Sequence, residues 1–170
     1  MNIKEKLNEY LKFYLKEFEE NKPLKGFMKK QIFKERAMYE EEACYEDRSI
    51  EEFINSNKED SFQTKLFNYI DKKGVKDSDV YNKVNLDRRL FSKIRSNEKY
   101  HPSKETVILL GIALELSELE IEDLLKSASY YLSMNTEFDL IIRFCFKEGI
   151  YNLNQINEFL YDYDCKLLNQ

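Results

Sequence analysis

The residues best placed to do chemistry lie between positions 83 and 104, and the chemistry they suit is electrostatic. Lys83, Arg88, Arg89, Lys93, Arg95, Lys99 and Lys104 oppose only Asp87 and Glu98 there, a local excess of five positive charges in a chain of net charge −5. Phosphate contacts need a focused field of this kind rather than a basic protein. Covalent and metal chemistry lack their parts. His101 is the single histidine, so no scheme needing two can be built. Cys44, Cys145 and Cys165 form no C-x-x-C pair, and Cys145 between Phe144 and Phe146 reads as core with no base nearby. Asp77–Ser78–Asp79 and Asp162–Tyr163–Asp164 hold carboxylates two apart, which point to different faces of a helix and read as caps and solvated groups. Gly26, Gly74, Gly111 and Gly149 are dispersed, which excludes a glycine-rich phosphate loop. No enzymatic activity, metal or cofactor is expected.

The elements that must carry the basic stretch are helices. Of 170 residues only four are Gly and two Pro, while 42% are hydrophobic and 35% charged. That is too little turn chemistry for a many-stranded sheet protein and enough apolar content for a core. Ile3, Leu7, Leu11, Tyr14 and Phe18 form one stripe of a helix over residues 3–20. Pro23 and Gly26 then break the chain before a second helix over 27–45, whose far end carries the acidic run Glu40–Glu42, Glu46 and Asp47. Ser49 to Glu52 spells a capping box for a short helix with Phe53 and Ile54. From Ser61 the helices come closely spaced. One runs to Gly74; one is capped by Asp77 or Ser78 and runs to Lys83; one is capped by Asp87 and runs to Arg95. Ser103 opens another to Leu116, with Val107, Leu110, Ala113 and Leu114 inward. Ser117 to Glu120 is a second capping box, starting a helix with Leu119, Leu124, Leu125 and Ala128 apolar. Helices over 136–148 and 153–163 complete the pattern.

Two short helices separated by a few residues read as a helix-turn-helix. The stretch Leu86–Asp–Arg–Arg–Leu–Phe–Ser–Lys–Ile–Arg–Ser96, with His101–Pro–Ser103 and residues 106–116 behind it, resembles the Cro/repressor-type (XRE-like) family. The resemblance covers about 70 residues and implies a λ-repressor-like five-helix core. In that family the third helix enters the major groove, so the likeness gives Arg88, Arg89, Ser92, Lys93 and Arg95 to the reading and phosphate-contacting face. Lys99 and Lys104 follow as further phosphate contacts. Two positions depart from the pattern. Tyr81 stands where the second helix usually has a small residue, and Asn85 stands at a turn position usually given to Gly. From about Ile50 onward the chain is also similar to an uncharacterised bacterial helical module found alone or behind macro domains, with Gly74, Val80–Tyr81, Leu86–Ser96, Phe138–Ile142 and Gly149–Ile150–Tyr151 carrying the likeness. It implies a fold and a regulatory or defence-related context.

The expectation is an all-α protein in three parts: a helical N-terminal extension over 1–60, a helix-turn-helix-like core over 61–134 and a C-terminal helical pair over 135–170. Its apolar N-terminal stripe should pack on its own C-terminal helices, which favours a monomer. No stretch approaches the length of a membrane span and no secretory leader opens the chain, so a cytoplasmic protein is expected. Two partners remain open. One is duplex DNA, read through the helix at 87–95. The other is a protein, bound by a module or small inhibitor of the kind carried by phage or mobile elements against a host defence enzyme.

Overall fold

The computed structural model describes residues 2–20 and 50–169, without the side chains of 15–20. The helix expected over 27–45, its acidic run, Cys44, and Ser49 of the first capping box lie outside the described residues. Among those described, every regular element is an α-helix: α1 (Ile3–Glu20), α2 (Ile50–Asn57), α3 (Phe62–Lys73), α4 (Asp77–Lys83), α5 (Arg88–Ser96), α6 (Lys104–Ala113), α7 (Glu118–Ser127), α8 (Glu137–Lys147) and α9 (Leu153–Asp162). The chain divides into two compact units, Met1–Lys12 with Asp60–Gln170, and Phe13–Glu59. The first twelve residues therefore go with the larger unit rather than with the rest of the extension. In the smaller unit, α2 buries none of its residues, and Ile50, Phe53 and Ile54 are all exposed.

The larger unit is organised around α6. Every residue from Thr106 to Ala113 is buried, so the sequence-level inward face of Val107, Leu110 and Ala113 is only part of the truth. Ile108, Leu109 and Ile112 are equally enclosed, as an all-round apolar helix requires. α4 and α7 pack on α6, α3 and α8 pack on α7, α9 packs on α8, and α5 packs on α4. Gly111 permits one of these approaches: a Cβ there would lie 2.4 Å from Ile121 Cδ1 and 3.2 Å from Phe146 Cζ. Leu7 and Leu11 are buried. The same turns of α1 tie to the C-terminal helices through Lys4–Asp162 (2.9 Å), Lys6–Glu148 (3.2 Å), a Tyr163–Asn8 hydrogen bond and Tyr10 stacked at a tilt on Phe144.

The caps follow the local sequence at most ends. Ser61, Asp87, Ser103, Ser117, Thr136 and Asn152 each accept a backbone N–H from the first turn of their helix. Ser117 and Glu120 complete the expected box. α4 departs from expectation. Its N-cap is Lys76, with no side-chain bond, so Asp77 lies inside the first turn instead of capping it. α6 stops at Ala113 because Glu115 turns left-handed and the Leu116 N–H returns to the Gly111 carbonyl. Leu119, one of the apolar residues named for α7, is 78% exposed.

Candidate nucleic-acid interface

The basic stretch is positioned by α4, the turn after it, and α5. The turn closes when the Leu86 N–H bonds the Tyr81 carbonyl at 2.8 Å, with Asn85 at φ 50° between them. Asn tolerates this left-handed conformation better than most side chains, so it stands in for Gly. Asp87 then starts α5, its Oδ1 accepting from the Arg89 N–H at 2.6 Å. Phe91 and Ile94 point into the core and Leu90 is half-buried. Tyr81 supplies bulk at the crossing: its ring lies 5.6 Å from that of Phe91, which meets Phe67 edge-on at 6.2 Å. An aromatic contact thus fills the position where a small residue would let the helices touch.

With the apolar face fixed, the polar residues divide into two stripes. Arg88, Ser92 and Arg95 stand at i, i+4 and i+7, the spacing of one helix face, and line a groove of about 300 Å³ against Asp77, Ser78 and Tyr81 of α4. Arg89 and Lys93 form the second stripe, four residues apart. All five are exposed. Among the described residues Arg88 and Arg89 meet no carboxylate, and the Lys93 ammonium lies 4.5 Å over the Tyr100 ring. Lys99 is exposed on the loop that follows, which its own N–H braces against Asn97 Oδ1 at 3.0 Å.

Three cations of the stretch are engaged within the fold. Arg95 pairs with Asp77 at 2.6 Å while its guanidinium lies 4.0 Å over the Phe67 ring. Lys83 pairs with Glu115 at 2.6 Å, and its hydrogen bond and charge hold that carboxyl below the usual range. Lys104 is withdrawn from the expected set. Its ammonium bonds both oxygens of Asp139, at 2.6 and 2.8 Å, and that carboxylate is buried and also takes the Ser133 N–H. A phosphate could take Lys104 only by leaving a buried carboxylate uncompensated, which is costly. Sequence spacing gave no sign of this pair, nor of Asp77 on Arg95, since the partners are 35 and 18 residues apart.

No family model matches the chain, and no curated protein or solved structure matches it. The geometry therefore stands alone.

Among the described residues, no group of three His, Cys, Asp or Glu is placed to hold a metal ion. Burial pushes the Cys145 thiol up to about 12, which keeps it un-ionised and a poor nucleophile. His101 is exposed, edge-on to Tyr130, whose hydroxyl donates to the Pro102 carbonyl at 3.1 Å. No described helix is long and apolar enough to cross a membrane.

Proposed function

We infer that the protein is a non-enzymatic regulator with a Cro/repressor-type helix-turn-helix, binding duplex DNA through α5. The observation that carries this reading is the exposed row of Arg88, Arg89, Ser92 and Lys93 on a helix whose opposite face, Phe91 and Ile94, is anchored in the core. Rigid backing matters because base readout requires side chains presented at fixed register. Arg88 and Arg89 occupy the first turn of α5, the end that meets base edges in this family. Arginine there suits the O6 and N7 acceptors of guanine. Lys93 and Lys99 are placed to meet the backbone on either side, where they set affinity and carry no sequence information.

Enrichment of duplexes from a random pool tests the reading. Wild-type protein should return a preferred sequence. Arg89→Ala should relax that preference at one or two positions, with a loss of about 1–3 kcal/mol for each base contact removed. A pool that stays random after selection with wild type contradicts sequence-specific binding.

A second reading has its own observation. Asp77, in the first turn of α4, puts a carboxylate in the groove that DNA would meet. A protein partner bearing its own acidic and basic groups tolerates that mixture better than a phosphate backbone does. A pull-down from native lysate separates the two. Capture of a partner that survives nuclease, together with no duplex binding at low salt, favours the protein-interaction or inhibitor role.

A further inference from the structure

We propose that Asp77 is an internal competitor for DNA: its carboxylate occupies Arg95 and keeps that guanidinium from neutralising a backbone phosphate when duplex binds. The inference rests on the DNA reading of α5 and adds to it a device that restrains affinity. Arg95 is the far end of the Arg88–Ser92–Arg95 stripe, and the groove along that stripe is closed on its α4 side by Asp77. The carboxylate meets the guanidinium at 2.6 Å, as a phosphate oxygen would. Phe67 lies under the guanidinium at 4.0 Å, which supports the side chain where it lines the groove, and Gln63 donates to the Arg95 backbone carbonyl.

The pair can be lost without harm to the fold. Its side chains are 52% and 35% exposed, and ion pairs in that setting are weak and easily replaced. Lys104–Asp139 shows the contrast, with the carboxylate only 5% exposed and bonded through both oxygens. A phosphate arriving at Arg95 meets a carboxylate already there, and the repulsion between the two anions lowers affinity for every sequence alike. Sequence-independent affinity is what a reader of specific sites has to limit.

The test measures binding of a labelled random-sequence duplex of about 20 base pairs across a salt series, for wild type, Asp77→Asn, Asp79→Asn, Arg95→Ala and the Asp77→Asn/Arg95→Ala double variant. Asp77→Asn should bind about twofold to fivefold more tightly at low salt. Its log K against log salt should steepen by about 0.9, the signature of one more neutralised phosphate. Both effects should vanish in the Arg95→Ala background. Asp79→Asn removes the same charge without touching Arg95, and it should leave the slope unchanged. Asp77→Ser repeats the measurement should Asp77→Asn melt early. The proposal is overturned by a gain that persists without Arg95, by an equal change in slope for Asp79→Asn, or by no gain at all while wild type binds. Absence of binding by every variant, wild type included, removes the DNA reading and this inference with it.

Discussion

Phe91 lies between Phe67 and Tyr81 with 3% of its surface exposed, and the direction of every basic side chain on α5 depends on it. Phe91→Ala should destabilise the protein by about 3–5 kcal/mol, as truncation of a buried aromatic does; a melting temperature close to wild type would mean that α5 is rotated from the register described. A second residue gives a pH signature. The Ser117 backbone N–H, 2.9 Å from Glu120, holds that carboxyl below its ordinary value of 4.5, aided by Lys72 and opposed by partial burial. A carboxyl depressed in the folded state stabilises above its unfolded pKa and loses that contribution as the pH falls through the folded value. Glu120→Gln keeps a capping side chain at the same position and removes the titration. Denaturation followed from about pH 6 to pH 3 should therefore show a shallower acid loss in the variant; parallel curves would contradict the assignment. The box itself was legible as Ser117 and Glu120 at the right spacing. Lys104–Asp139 was not, because nothing local distinguishes a lysine turned to a phosphate from one turned to a carboxylate 35 residues away.

Helix ends in this chain repeat one device. After α3 to α9, with α5 excepted, an N–H returns to a carbonyl five residues back, and the residue before that N–H is left-handed: Gly74, Asn85, Glu115, Ser129, Gly149 and Asp164. Only two of the six are glycine. That is how a chain with four glycines can end so many helices in short turns. Gly74 and Gly149 were readable as stops, and Asn85 as a strained substitute for one. Glu115 and Ser129 were not, because their side chains favour no left-handed turn and tertiary packing imposes it; Asp164 tolerates the turn as Asn85 does, but an aspartate near a helix end is no stop signal by itself. Helix lengths suffered accordingly, with α6 read three residues too long. Ser129 is exposed, so relief of its backbone conformation can be measured cleanly. Ser129→Gly should stabilise by about 0.5–1 kcal/mol, the left-handed penalty less the entropy that glycine adds to the unfolded chain. A lower melting temperature for that variant would show that the Ser129 side chain contributes more than its conformation costs.

At the scale of the molecule, composition and periodicity sufficed for the helical elements of the described residues, and the first turns of α1 do bury Leu7 and Leu11. They could not show that α6 is enclosed on all sides, since an apolar run without a polar face carries no direction. Nor could charge counting separate the seven cations of residues 83–104 into those engaged internally and those left to solvent. The fold makes that division: Lys83, Arg95 and Lys104 hold carboxylates, while Arg88, Arg89, Lys93 and Lys99 are exposed. On the proposed reading, a protein of net charge −5 meets the DNA backbone through Lys93 and Lys99 of that set, and this fixes a number. The most direct test is the salt dependence of wild-type binding to duplex DNA, measured beside Lys93→Ala/Lys99→Ala. With two phosphates neutralised, log K should fall linearly with log salt at a slope of about −2, and the double variant should lose most of that slope. No detectable binding at low salt, or binding whose slope ignores Lys93 and Lys99, would contradict the assignment of this face to DNA.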